Sequence, residues 1–179
     1  MISVGQKLPH FSLEAVVSTD LAAAFRTIGH DSYPGKWLVL FSYPKDFTFV
    51  CPTELKGFGD LGPQFAERDA QLLSLSTDSA FVHLAWRKDH ADLRALPYPM
   101  LSDIRRDFSS QLGILDEDER VCQRATFIVD PSGVVRYAAM NDPSVGRNPD
   151  EVLRVLDALQ TGELCACNWQ PGQEPVKVG

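Results

Sequence analysis

The sequence has no long apolar stretch. A membrane-spanning helix needs about 18 or more consecutive apolar residues, and no run in this chain approaches that length. Residues 1–14 also lack the continuous apolar segment of a secretory signal, because Gln6, Lys7, Pro9 and His10 interrupt it. We therefore expect a cytoplasmic protein that does not bind membranes.

Positive charge is also scarce. The chain has 17 Lys and Arg residues against 24 Asp and Glu residues, which gives a formal net charge of -7. No basic run or stripe is present that could follow a phosphate backbone. Nucleic acid is therefore not an expected partner.

Cysteine is too sparse for a disulfide scaffold. The four cysteines are Cys51, Cys122, Cys165 and Cys167. In a reducing compartment such a small set is more typical of free, catalytic or metal-binding thiols. The four histidines are His10, His30, His83 and His90. Their positions do not combine with the cysteines in the spacing of zinc ligands, so we expect no metal site.

A Cys-x-x-Cys pair is absent as well. Cys51 is followed by Pro52, Thr53 and Glu54. A disulfide reductase of the thioredoxin type needs two cysteines at the start of a helix, so this activity is not favoured. The candidate nucleophile is a single cysteine.

Strand and helix patterns alternate along the chain. Continuous apolar runs predict buried strands over residues 37–43, 72–76 and 126–129. Helical spacing of apolar residues predicts helices over residues 53–69, 80–90, 104–112 and 151–159. A turn at residues 131–133 predicts a hairpin at one edge of the sheet, with residues 134–137 as its second strand. The pattern indicates an α/β protein with a central mixed β-sheet flanked by helices, for which the thioredoxin-like fold is one solution.

The 179 residues are enough for one domain, which we place at residues 1–162. Its last helix is well delimited, with Asn148 as the N-cap, Pro149 at the first helical position and Gly162 just past the end. Residues 163–179 form a tail rich in proline and glycine. We expect this tail to be extended or mobile.

Cys51 follows the first predicted buried strand and falls at the start of the next helix. The free N–H groups and the positive end of the helix dipole favour the thiolate there, which is the reactive form of cysteine. Pro52 leaves two helix starts open, since it can be the first helical residue or lie within an irregular first turn. Thr48 precedes Cys51 by three residues, which is one turn if the helix has already begun, so its hydroxyl can reach the sulfur or an oxygen bound to it.

The residues around Cys51 carry a resemblance to a known family. The string Pro-x-x-x-Thr-x-x-Cys from Pro44 to Cys51, within Asp-Phe-Thr-Phe-Val-Cys-Pro-Thr-Glu, resembles the active-site signature of the peroxiredoxins. The resemblance extends from about Val4 to Gly172 and is closest to the typical two-cysteine branch, which includes the bacterial alkyl hydroperoxide reductase C subunits. It implies a thioredoxin-like fold and a thiol-dependent peroxidase in antioxidant defence and redox homeostasis.

The resemblance also implies roles for individual residues. The peroxidatic cysteine is Cys51. Pro44 would shield its pocket, and Thr48 and Arg124 would hold the two peroxide oxygens in line. Arg124 begins the string Arg-Ala-Thr-Phe-Ile-Val-Asp-Pro, which is similar to the family strand that supplies an active-site arginine. Auxiliary charges would come from Glu54 and Arg147.

In the tail, the resemblance assigns Cys165 as the resolving cysteine, which would form a disulfide with Cys51 of a partner subunit. Cys167 is an additional thiol that could substitute for it or exchange with it. The implied partners are a hydroperoxide, an external dithiol reductant (thioredoxin or an alkylhydroperoxidase-D/F-type reductase) and a second copy, with homodimers assembling into a decamer or dodecamer ring. Substrates would be hydrogen peroxide and alkyl hydroperoxides, with peroxynitrite as a further candidate, and no bound cofactor is needed.

The sequence leaves a non-enzymatic function open. Relatives that resemble this chain form rings that bind unfolded clients, so a holdase chaperone or assembly scaffold is the main non-enzymatic alternative. Cys122 has no counterpart in the motifs above, and we interpret it as a bystander thiol.

Overall fold

A computed structural model describes residues 1–177. The strands are β1 Ser12–Val16, β2 Phe25–Gly29, β3 Trp37–Ser42, β4 Ala70–Ser76, β5 Met100–Ser102, β6 Arg124–Val129 and β7 Val135–Asn141. The α-helices are α1 Cys51–Asp60, α2 Gly62–Glu67, α3 Ala80–Asp89, α4 Asp107–Leu112 and α5 Pro149–Thr161, and a short 3-10 helix covers Ala91–Leu93. No helix within these residues is both long and apolar enough to cross a membrane.

All seven strands belong to one mixed sheet with the order β2-β1-β5-β4-β3-β6-β7. The pairs β3–β4 and β4–β5 are parallel, and the other neighbours are antiparallel. The predicted mixed sheet and its edge hairpin, β6–β7, are confirmed. The sequence patterns did not indicate β1, β2 and β5, because the first two carry polar residues and the third has only three residues.

The sheet divides the core into two layers, and its central strand β3 contributes side chains to both. Successive side chains of a strand point to opposite faces. Val39 and Phe41 therefore join a buried cluster with α1 and α5, whereas Leu38 and Leu40 join a second cluster with Phe127 on the other face. Both faces of β3 are buried, which explains its continuous apolar sequence.

Two predicted helices differ from the observed ones. Residues 53–69 form two helices, α1 and α2, with a break at Leu61. The helix predicted from residue 104 begins only at Asp107, because Arg106 has a left-handed backbone with a φ of 63°. The predicted caps of α5 are confirmed, since the Asn148 side chain accepts hydrogen bonds from the backbone N–H groups of residues 150 and 151, and Gly162 has a φ of 68°.

The tail is more compact than predicted. Trp169 is buried, and the backbone N–H of Val176 donates to the carbonyl of Leu164 at 2.8 Å. These contacts fold the segment back on itself against α5. The alternative of an extended tail is therefore wrong, because a single aromatic side chain gives this polar segment an apolar anchor, while the mobility of the tail stays a prediction.

Candidate active site

Cys51 is the first residue of α1, and its side chain is buried within the cluster beneath the sheet. Val50 is the N-cap, and its carbonyl accepts hydrogen bonds from the N–H groups of Thr53 and Glu54. Pro52 therefore lies within the first turn, which decides between the two helix starts left open by the sequence. The Cys51 sulfur lies at the positive end of the helix dipole.

Arg124 projects from the first position of β6 toward this sulfur. Its Nη1 lies 3.4 Å from the Cys51 Sγ, and its Nε donates to the carbonyl of Pro143 at 2.7 Å. Only 4% of the Arg124 side chain is exposed. A guanidinium held in this way places a permanent positive charge beside the sulfur, which favours the thiolate.

Glu54 joins two arginines with one carboxylate. Its Oε2 accepts from Nη1 of Arg124 at 2.6 Å and from Nη2 of Arg147 at 2.8 Å, and its Oε1 accepts from Nε of Arg147 at 2.8 Å. Arg147 also lies over the ring of Phe41, 5.4 Å from its centroid. Two guanidinium charges and one carboxylate leave one net positive charge, which a thiolate at Cys51 would balance.

Thr48 and Pro44 lie in the loop between β3 and α1, and both are half-buried. The Thr48 hydroxyl donates to the carbonyl of Lys45 at 2.9 Å. Because α1 begins only at Cys51, Thr48 is not one helical turn below the sulfur. The structure thus places Thr48 in the loop between β3 and α1, with its hydroxyl on a backbone acceptor.

Comparisons with known proteins identify the family of this chain. The family model described as AhpC/TSA family matches residues 4–138. The chain belongs to this family. Its relatives include alkyl hydroperoxide reductase C of Mycobacterium tuberculosis, 49% identical with 100% of this chain and 95% of the relative covered. Thioredoxin peroxidase of Echinococcus granulosus is 42% identical, with 97% and 92% covered.

Solved structures of the family superpose over most of the chain. Mycobacterium tuberculosis AhpC matches with a TM-score of 0.87 and 49% identity, covering 95% of this chain and 99% of that one. Reduced 2-Cys peroxiredoxin of Plasmodium vivax matches with a TM-score of 0.90 and 35% identity, covering 98% and 93%. The predicted thioredoxin-like fold and thiol-dependent peroxidase activity are confirmed.

A buried polar cluster connects the loop before Cys51 with α3 in this peroxidase. Asp46 accepts from the hydroxyl of Tyr43 at 2.8 Å, and its other oxygen lies 2.7 Å from Nδ1 of His83. The second ring nitrogen of His83 lies 3.2 Å from the carbonyl of Leu101. Burial raises the pKa of Asp46, while the hydrogen bond to His83 acts in the opposite direction. Sequence reasoning missed this cluster, because Asp46 and His83 belong to different elements.

The remaining cysteines differ strongly in their surroundings. Cys122 is fully buried, and burial raises the pKa of its thiol to about 12, so it is inert at neutral pH. This environment supports its interpretation as a bystander. Cys167 is exposed, and the Sγ of Cys165 lies 3.7 Å from the carbonyl of Ala158 in the last turns of α5.

The structure does not bring Cys165 to Cys51 within one chain. The N-terminal end of α5 lies beside α1, since the ring of Pro149 lies against Gly57. Cys165 follows the opposite end of α5, and thirteen helical residues span about 20 Å. All four cysteines are free thiols.

Proposed function

We propose that Cys51 is the peroxidatic cysteine and that this peroxidase reduces hydrogen peroxide and alkyl hydroperoxides, with peroxynitrite as a further candidate. The observation that carries the assignment is the 3.4 Å contact between Arg124 Nη1 and the Cys51 sulfur at the N-terminus of α1. The other cysteines lack a comparable setting among residues 1–177, because the sulfur of the buried Cys122 contacts the hydroxyl of Ser109, that of Cys165 lies near the C-terminal end of α5, and Cys167 is exposed.

The first step is attack of the Cys51 thiolate on the terminal oxygen of the hydroperoxide. The S–O bond forms as the O–O bond breaks, and the leaving alkoxide takes the electron pair and a proton from solvent. Cys51 becomes a sulfenic acid. Arg124 stabilises the charge that develops on the oxygens, Thr48 turns its hydroxyl from Lys45 toward the peroxide, and Pro44 limits access of water.

Resolution then uses Cys165 of a partner subunit. Its thiol condenses with the sulfenic acid, so that a disulfide forms and one water molecule leaves. A disulfide requires Cα atoms within ~7 Å. The separation of the two sites along α5 supports a partner's tail as the source of the thiol, in a two-fold dimer. Cys167 substitutes for Cys165 or accepts the bond by exchange.

An external dithiol completes the cycle by reducing the disulfide. Candidates are thioredoxin and an alkylhydroperoxidase-D/F-type reductase, and one full-length relative is named thioredoxin peroxidase. No bound cofactor enters the cycle. We further propose that the protein is cytoplasmic, that dimers assemble into a decamer or dodecamer ring, and that residues 1–162 form the catalytic domain with residues 163–179 as its resolving tail.

A peroxide-consumption assay with a panel of these reductants tests the proposal. Wild type and Cys122→Ser should turn over equally, whereas Cys51→Ser should be inactive with every reductant. Non-reducing gels after one equivalent of peroxide should show a covalent dimer in wild type, none in Cys51→Ser and a weaker one in Cys165→Ser. Turnover by Cys51→Ser would reject the nucleophile, and an oxidised wild type that runs only as a monomer would reject the intersubunit disulfide.

A further inference from the structure

The segment 164–176, here named the tail loop, is closed and docked onto α5. Its two ends are joined by the hydrogen bond from the N–H of Val176 to the carbonyl of Leu164. Trp169 is the one buried residue between 163 and 177, and its Nε1 donates to the carbonyl of Gln173 at 3.0 Å. The tail loop therefore has an apolar anchor and an internal hydrogen-bond network.

Arg154 connects the tail loop to α5. Its Nη1 donates to the carbonyl of Trp169 at 2.8 Å, directly at the anchor residue. Glu151 fixes the guanidinium from the other side, with contacts of 2.6 Å to Nε and 2.7 Å to Nη2. Such a bidentate pair orients the remaining N–H toward one acceptor.

The closed loop also determines the setting of the Cys165 thiol. Its sulfur lies 3.5 Å from the hydroxyl of Thr161 and faces the carbonyl of Ala158, at the C-terminal end of α5. While the loop is closed, Cys165 is half-buried and its sulfur lies against the C-terminal end of α5 of its own chain.

We propose that Arg154 is a positioning residue that clasps the tail loop to α5 and thereby sets the rate at which Cys165 is released for resolution. The inference rests on the proposed role of Cys165. Release competes with a second oxidation of Cys51, because a sulfenic acid that is not resolved can react with another peroxide to give a sulfinic acid. Arg154 therefore controls how much enzyme is lost per turnover, although it touches neither the peroxide nor the Cys51 sulfur.

Rapid mixing with acid quench and intact-protein mass spectrometry separates the two steps. The first phase, sulfenic acid formation, depends on peroxide concentration, and the second, disulfide formation, does not. In Arg154→Ala the second phase should be roughly fivefold faster, since a charge-assisted hydrogen bond is lost, while the first phase should stay unchanged. The rate of the second phase in Arg154→Lys should lie between the rates in wild type and Arg154→Ala, because Glu151 cannot hold an ammonium in a bidentate pair.

Arg105→Ala is the matched control, since Arg105 is 83% exposed and pairs with Asp107 away from the tail. It should match wild type in both phases. Amide hydrogen exchange over residues 164–176 gives an independent readout, and exchange in reduced Arg154→Ala should be faster by the same factor as resolution. The fraction of Cys51 converted to sulfinic acid per turnover should fall correspondingly.

The proposal would be overturned if Arg154→Ala formed the disulfide at the wild-type rate or more slowly and its amide exchange were unchanged. Cys165→Ser distinguishes this failure from failure of the proposed function. If the second phase is unchanged in Cys165→Ser, Cys165 is not the resolving thiol. The exchange measurement then still shows whether Arg154 holds the tail loop closed. If the second phase disappears in Cys165→Ser and Arg154→Ala still behaves like wild type, the clasp alone is wrong.

Discussion

The two cysteine sites lie at helix ends of opposite sign. Cys51 begins α1, is buried, and has Arg124 on its sulfur. Cys165 follows the C-terminal end of α5 and is held only by weak contacts in a short loop. The difference fits the two roles proposed for these cysteines, because attack on a peroxide benefits from a fixed, charged pocket, whereas resolution requires a thiol that can move to the other subunit.

The same contrast appears in how each site is stabilised. Glu54, Arg124 and Arg147 are almost completely buried and satisfy one another. The tail loop depends on Trp169 and on one hydrogen bond from Arg154, whose side chain is 22% exposed. We expect substitutions in the buried network around Cys51 to lower the stability of the whole fold. Substitutions in the tail loop should destabilise only the tail loop.

The largest effect is expected from removing the charge beside Cys51. Arg124→Gln should lower kcat/KM for hydrogen peroxide by roughly 100- to 1000-fold, as for loss of one donor that stabilises charge on a reacting oxygen. It should also slow iodoacetamide alkylation of Cys51 at pH 6, since the positive charge beside the reacting sulfur is removed. Arg136→Gln, which removes an exposed arginine near Asp130, is the control and should behave like wild type. Equal rates in the two variants would show that the buried charge is not catalytic.

Glu54→Gln should destabilise the fold by about 3 kcal/mol or more, because two buried guanidinium groups lose their shared carboxylate. Urea denaturation measures the change in the free energy of unfolding. The control is Glu119→Gln, whose partner Lys45 lies 2.6 Å away in an exposed pair, and it should cost less than ~1 kcal/mol. Similar losses in both variants would contradict the distinction between the buried network and surface ion pairs.

Trp169→Ala should cost much less than a comparable truncation in the core. Phe58→Ala, in the cluster that contains Cys51, should lower the free energy of unfolding by about 3–5 kcal/mol. For Trp169 the cost is limited by the free energy of opening the tail loop, so we expect a loss of about 1 kcal/mol or less. Urea denaturation compares the two, and a loss for Trp169→Ala as large as that for Phe58→Ala would make the tail part of the cooperative core.

The smallest effect concerns Cys122. With its pKa raised to about 12, its thiol carries almost no thiolate at pH 8. Native protein treated with iodoacetamide at pH 8 should therefore leave Cys122 unmodified, and denatured protein should be labelled there. Mass spectrometry of digested samples gives both results. Native labelling of Cys122 at the rate of the exposed Cys167 would show that its burial is not maintained in solution.

Local signals predicted β3, the edge hairpin and the caps of α5, because each depends on a short stretch of sequence. Contacts between residues far apart in the chain were harder to predict. Glu54 and Arg124 are 70 positions apart, and their proximity was implied by the family resemblance rather than by spacing. The Asp46–His83 contact and the Arg154–Trp169 clasp had no such guide, since each pairs a helix side chain with a loop.

We propose that, of the four cysteines, Cys51 alone reacts first with peroxide. The most direct test adds one equivalent of hydrogen peroxide to the reduced double variant Cys165→Ser, Cys167→Ser, in which no tail thiol can resolve the product. A sulfenic-acid-specific label followed by peptide mass spectrometry locates the oxidised sulfur. We predict stoichiometric labelling of Cys51 and none of Cys122. Labelling of Cys122, or no oxidation of Cys51 by one equivalent, would contradict the assignment of Cys51 as the peroxidatic cysteine.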